Sequence, residues 1–165
     1  MHSIYIQLSS ICFALSLVCL GSKSQAQQQH KLPAAASSAF PKGVKVTNNN
    51  FVGTVWLNYL VETDSIHNVN IGSVTFAPGA RTNWHYHKGG QILLVTAGEG
   101  LYQEEGKAIE TIPQGSVVKC PAGVVHWHGA TPHTSMTHIA IGTNTQIGGA
   151  VWLKPVTEAQ YLGTK

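Results

Sequence analysis

From Phe51 onward, apolar residues fall in short runs that turn residues interrupt every few positions. Gly53 to Leu60 and Val69 to Phe76 are rich in β-branched and aromatic residues, and shorter runs follow at Gln91–Thr96, Leu101–Gln103, Ala108–Ile112, Ser116–Lys119 and Met136–Ile141. Between them stand Pro78-Gly79, Gly89-Gly90, Gly98-Glu99-Gly100, Glu105-Gly106, Pro113-Gln114-Gly115, Pro121-Ala122-Gly123 and Gly148-Gly149. Strands at this spacing, punctuated by Gly and Pro, predict an all-β sandwich or barrel. The tail from Val156 to Leu162 is the one helix candidate, and it is short.

The N-terminal segment follows a different pattern. Ile11 to Leu20 is apolar except for Ser16, too short to span a bilayer as a helix. Ser24 and Ala26 then supply small residues at the spacing a signal peptidase reads, so residues 1–26 are expected to be a signal peptide cleaved before Gln27. The mature chain is accordingly expected in the periplasm or secreted, with no membrane insertion after cleavage. Residues 27–50 have no apolar periodicity and are expected to form a flexible linker, leaving 51–165 as one folded domain. Cleavage removes Cys12 and Cys19, so Cys120 cannot form an intrachain disulfide and reads as a small buried hydrophobe.

Composition narrows the function classes. Ten Lys+Arg and seven Asp+Glu leave only 10% of positions charged, with no basic run, which argues against nucleic acid as a partner. A mean hydropathy of +0.03 argues against wholesale disorder. Against this low charge stand nine histidines, an excess of imidazole that points to metal.

The histidine spacing supports that reading. His85 and His87 are two apart, so on a strand both rings point to one face. Gln91 follows after Lys88-Gly89-Gly90, where a turn can bring its amide oxygen back, and His126 follows the turn at Pro121-Ala122-Gly123. Three imidazoles and an amide oxygen suit a borderline divalent ion with open positions, whereas structural zinc more often takes thiolates in a closed tetrahedron.

These positions also match a known pattern. Gly79-x5-His85-x-His87-x3-Gln91-x6-Gly98 resembles the first cupin motif, with Gln91 where the family usually has Glu. Gly115-x5-Pro121-x-Gly123-x2-His126-x3-Ala130 resembles the second, with Ala130 in place of the usual Asn. The resemblance implies a single double-stranded β-helix (jelly-roll) barrel with a short C-terminal helix, and it puts His85, His87, Gln91 and His126 on the four metal-ligand positions. Val74–His85, Gly90–Gly98 and His126–Ala130 are similar to the manganese-dependent cupin hydroxynitrile lyases. That similarity implies one divalent transition metal, Mn(II) first and Fe(II), Zn(II) or Ni(II) otherwise, and a small hydroxy or carbonyl substrate.

In that family His138 falls on the position of an active-site histidine, which implies general acid/base work. His128, two residues after His126, is expected in the second shell or at the mouth, and Val74, Phe76 and Met136 in an apolar pocket. Trp84, Tyr86 and Trp127 alternate with the ligands and are expected to face away from the metal. Arg81, the single arginine, is expected to hydrogen-bond a turn. An iron dioxygenase and a non-catalytic metal- or small-molecule-binding module of the cell envelope are the rival readings. A homodimer or higher homo-oligomer is expected, with the exposed character of Phe51–Leu60 offering a strand to cover.

Overall fold

The computed structural model describes residues 39–164. The expected signal peptide, and the expected linker up to residue 38, lie outside the described residues. Twelve strands run in order: β1 (Val44–Lys45), β2 (Phe51–Val52), β3 (Val55–Val61), β4 (Val69–Phe76), β5 (Arg81–Thr82), β6 (His85–His87), β7 (Gln91–Glu104), β8 (Glu110–Pro113), β9 (Val117–Cys120), β10 (His126–Ala130), β11 (Met136–Thr143) and β12 (Ala150–Trp152). The helix α1 (Glu158–Leu162) closes the fold. All pairings are antiparallel, along the path β1-β3-β4-β11-β7-β10-β5-β2. The sheet curls on itself as a jelly-roll barrel. The all-β expectation is met, and so is the short terminal helix.

Two boundaries differ from the sequence reading. Residues 44–50 do not behave as linker: Val44 and Lys45 pair with Leu57 and Trp56, and the Asn50 carbonyl accepts from the Asn83 amide at 2.8 Å. Asparagine-rich sequence masked this segment, because its order comes from partners far away in the chain. Gly98-Glu99-Gly100 is likewise no chain reversal. It lies inside β7, which runs fourteen residues and serves both halves of the barrel. Along β7 the buried positions are Gln91, Leu93 and Val95, then Gly100 and Tyr102, so the inward face switches from odd to even numbers. A bulge supplies the switch: Thr137 pairs with Ala97 and His138 with Val95, skipping Thr96. Gly98 then takes φ 72°, and a side chain there would strike the Ser135 carbonyl. The predicted strand Phe51–Leu60 divides between β2 and β3, and β3 is covered by β4 on one edge and over only two residues by β1 on the other.

The core has two parts. Val55, Phe76, Leu93, Val95, Tyr102 and Met136 fill the barrel interior. Trp84 and Trp127 face outward, 6.5 Å apart edge to face, and are buried with Val156 and Tyr161 beneath the C-terminal segment. Both lie in this outer layer and not in the barrel interior.

Helix α1 holds this second layer. A capping box between Thr157 and Gln160 starts it, and Gly163 ends it in the left-handed region. The Tyr161 hydroxyl donates to the Ala130 carbonyl at 2.8 Å. Arg81, 5% exposed, donates to the carbonyls of Val156 (3.1 Å) and Gly79 (3.2 Å) and lies 4.4 Å from the centre of the Tyr161 ring. The turn bond expected for Arg81 is the one to Gly79, and the larger role is clamping the tail. Its ion pair with the exposed Glu158 adds little, since solvent screens it. Arg81→Met leaves two carbonyls without this donor and is expected to cost about 2 kcal/mol, read as a lower urea midpoint at unchanged slope. An unchanged midpoint would refute the clamp.

Candidate metal centre

β6 and β10 lie side by side, with His85 directly opposite His126. Alternation along β10 sends His126, His128 and Ala130 inward and Trp127 outward. Gln91 opens β7 after the turn at Lys88-Gly89-Gly90. That turn is fixed from β11: the Thr143 hydroxyl donates to the Gly89 carbonyl at 2.7 Å, and the Asn144 amide donates to the same oxygen at 3.1 Å. Gly89 must lack a side chain, because a Cβ would fall on the Thr143 carbonyl. Sequence reading missed this pair of anchors.

Two backbone carbonyls set the tautomers of the facing histidines. His85 Nδ1 lies 2.9 Å from the Asn83 carbonyl, and His126 Nδ1 lies 2.9 Å from the Val124 carbonyl. A carbonyl only accepts, so each Nδ1 carries the proton and each neutral ring keeps a bare lone pair on Nε2. The bare Nε2 of His126 faces Gln91 Oε1 at 3.3 Å. Two lone pairs at that distance repel each other, and a cation shared between them would satisfy both.

One ring nitrogen from each of His85, His126 and His128 lies within 4.8 Å of the others, close enough to hold a metal ion together. The expected second-shell residue His128 therefore stands within the inner cluster. His87 adjoins it, its ring centre 5.2 Å from His85 and 5.8 Å from His126, with Nε2 buried and unpartnered. His138 lies behind His128, its ring 4.9 Å away edge to face and stacked 5.6 Å from Phe76. Both nitrogens of His128 and both of His138 are buried and make no hydrogen bond of good geometry, although the Ile139 backbone lies close enough to the His138 ring to offset part of the effect of burial. So many unsatisfied buried donors and acceptors in one place mark a site built for something bound. The donor set of neutral nitrogens and an amide oxygen fits a divalent ion of borderline softness.

The cluster opens on a cavity of about 240 Å³. Phe51, Leu57, Val74, Phe76 and Trp152 give it apolar walls, with His138 and His128 at the inner end. Val74 and Phe76 are where the sequence put them. Met136 is not: it is fully buried, its sulfur packs against Gly100, and it does not line the cavity. In the pairing, Met136 sits opposite Phe76, which does line the cavity. Trp152 was not singled out from the sequence. Its ring stacks on His85 at 4.6 Å and packs on Phe51 at 5.4 Å, placed there by the β12–β6 pairing.

Burial sets the electrostatics. It pushes the His85 and His128 rings well below their ordinary pKa of 6.5, with neighbouring imidazoles adding to the shift. Burial also lowers His126, and it brings His87 and His138 to about 4. All five rings are therefore neutral at pH 7, the form that ligates metal or accepts a proton. Burial pushes the Cys120 thiol up to about 12, in keeping with an inert buried residue.

Stability depends on the same shifts. Between pH 6.5 and about 4 the unfolded chain binds protons on these histidines while the folded chain does not, so stability falls as pH falls. Each unit of depression is worth about 1.4 kcal/mol, so the metal-free protein is expected to lose a few kcal/mol across that window. Urea titrations at several pH values check this; flat stability from pH 7 to 4 would contradict it.

Comparison with known proteins agrees with this geometry. The cupin domain model matches residues 72–142, which carry every ligand candidate. The protein named (R)-mandelonitrile lyase from Granulicella tundricola is 48% identical over 111 residues, covering 67% of this chain and 85% of its own length. A crystal structure of a cupin-like protein from Thermotoga maritima superposes with a TM-score of 0.74 at 46% identity, covering 78% of this chain and 98% of its own. A predicted oxalate decarboxylase from the same organism superposes at 0.56 with 21% identity, covering 73% and 100%, and shows the fold alone. The barrel, the two motifs and these relatives together make the chain a member of the cupin family, similar to its hydroxynitrile lyases.

Proposed function

We propose that the protein is a metal-dependent lyase that splits a small cyanohydrin into an aldehyde and hydrogen cyanide, and joins them in reverse. The observation that carries this reading is the pair of buried neutral imidazoles lining an apolar cavity, His128 within the three-histidine cluster and His138 behind it. The relative named (R)-mandelonitrile lyase supports the same class.

His85, His87, Gln91 and His126 would hold the ion, with His128 beside them. Mn(II) suits this donor set, because the reaction needs no change of oxidation state. A divalent ion held there supplies Lewis acidity, making a hydroxyl placed against it a stronger acid. The residues do the rest. The bare nitrogen of His138 takes the hydroxyl proton. The oxygen's electron pair forms the new carbonyl, the carbon–carbon bond breaks, and its pair leaves on the cyanide carbon. His138, whose depressed pKa makes its charged form short-lived, returns the proton to cyanide as hydrogen cyanide. Phe51, Val74, Phe76 and Trp152 exclude water and give the aldehyde's side chain an apolar seat.

An iron dioxygenase is the rival reading. Non-haem iron oxygenases typically hold iron with two histidines and a carboxylate, and here the position the family gives to Glu is Gln91, with no carboxylate lining the cavity. We also propose that the protein works outside the cytoplasm, a reading supported by the apolar run Ile11–Leu20 and the small residues before Gln27. The function is tested by incubating the Mn(II)-loaded protein with racemic mandelonitrile while following benzaldehyde and dissolved oxygen. Benzaldehyde released without oxygen uptake is expected; oxygen uptake with no benzaldehyde would replace this reading with the oxygenase.

A further inference from the structure

The histidine cluster is supported from a stretch of chain that the sequence reads as linker. His85 is oriented through Nδ1, which donates to the Asn83 carbonyl at 2.9 Å. Such a bond fixes a ring only as firmly as its acceptor is itself held. Asn83, 4% exposed, is held by two consecutive carbonyls of the segment before β2. Its backbone N–H donates to the Asn50 carbonyl at 2.8 Å, and its side-chain Nδ2 donates to the Asn49 carbonyl at 2.8 Å, 34 residues back in the chain. The Asn50 N–H closes that turn on Asn48 Oδ1 at 3.1 Å. On the far side, the Trp84 N–H donates to the Lys154 carbonyl at 3.1 Å. Asn83 Oδ1 is buried with no partner. A buried amide with one end unsatisfied calls for a reason, and the other end supplies it by holding Asn49.

The same segment reaches His85 by a second route. Phe51, next in the chain, packs on Trp152 at 5.4 Å, and Trp152 stacks on the His85 ring at 4.6 Å. Residues 49–51 thus hold one ligand candidate by hydrogen bonds through its Nδ1 and by stacked rings on its face. His126 is supported differently. Its acceptor, the Val124 carbonyl, belongs to a local turn in which the Val124 N–H donates to Pro121 at 3.2 Å. The N-terminal segment is otherwise lightly attached: β1 and β2 pair over two residues each, and Val44 is 78% exposed. Short ladders and few buried contacts are the marks of a unit that opens locally.

We propose that Asn83 is a positioning residue that couples this strap, residues 44–52, to the metal centre. The strap in place holds the His85 ring in its ligating orientation, and an ion in place holds the strap down. The inference rests on the metal reading above and is independent of the lyase reading. By linkage the two effects are equal in size: if releasing the strap weakens ion binding about tenfold, a bound ion makes release about tenfold rarer.

The test follows hydrogen–deuterium exchange by mass spectrometry in the chelator-stripped full chain, with and without saturating Mn(II). Exchange across residues 44–52 is expected to slow about tenfold with Mn(II). β8, which pairs with Glu99–Tyr102, is the reference and is expected to slow far less. Asn83→Ala removes the Nδ2 donor. It is expected to weaken Mn(II) binding about tenfold, measured by the electron paramagnetic resonance signal of the free ion, and to bring the strap's protection below about threefold. A merely structural role for Asn83 would lower the urea midpoint and leave the strap coupled to the ion. Equal strap exchange with and without bound Mn(II) in the unmodified protein would overturn the proposal, whether or not the variant folds, and would leave the metal reading standing. Equal slowing of β8 would also overturn it, since that marks stabilisation of the whole fold. Unchanged affinity and protection in folded Asn83→Ala would overturn the role of Asn83. Strap protection without mandelonitrile cleavage keeps this inference and removes the lyase reading; no Mn(II) binding removes this inference and the metal reading together.

Discussion

His126→Ala is expected to abolish metal retention and, with it, mandelonitrile cleavage. His126 is the hub of the site: it lies opposite His85 in the sheet, its ring centre is 4.3 Å from that of His85, and its Nε2 faces Gln91 Oε1. Losing one imidazole from so small a donor set is expected to weaken Mn(II) binding by about a hundredfold or more, at the upper end of what even supporting residues cost. Folding should survive. The ring is fully buried among His85, His87 and Gln91, which line the cavity, and its removal takes away a buried neutral histidine that resists protonation. The substitution is therefore expected to flatten the acid side of the stability profile slightly while metal content drops to background. Metal analysis after desalting decides the matter, and a variant that keeps stoichiometric Mn(II) would move the site elsewhere.

The second large effect is expected from His138→Ala, with a different signature. His138 sits on β11, opposite Val74 and Val95, with His128 between it and the rest of the cluster. It is expected to leave metal content unchanged while the turnover number falls about a hundredfold to ten-thousandfold, the usual worth of a positioned acid/base group. The Michaelis constant should change far less, because the apolar walls that seat the substrate are intact. Full turnover in this variant would remove His138 from the reaction and leave His128 as the remaining proton carrier. A matching loss of metal would instead make His138 part of the ion's support.

Much of this was legible in the chain, for reasons that can be named. The strand Val69–Phe76 has the same ends in the sequence pattern and in the structure, because β-branched residues and flanking turns are local signals. His85, His87, Gln91 and His126 could be grouped because strand alternation and turn residues fix their relative facing. The parts that were not legible depend on distant partners. β1 is ordered by Leu57 and Trp56, and nothing local marks it. β7 passes through Gly98-Glu99-Gly100 without stopping, since those glycines serve a bend between two halves of the barrel. His128 read as peripheral because its spacing from His126 fixes which face it occupies and says nothing of how near the rings come. Trp152 carried no signal; its place over His85 follows from β12 pairing with β6.

The central claim is that the neutral histidine cluster performs carbon–carbon cleavage through a divalent ion and without redox chemistry. The most direct measurement strips the protein with a chelator, restores Mn(II), and follows benzaldehyde and cyanide release from mandelonitrile under argon. The account predicts no cleavage above background before restoration, equal amounts of benzaldehyde and cyanide after it, and the same rate with and without oxygen. Cleavage that persists in the stripped protein, or that requires oxygen, would contradict it.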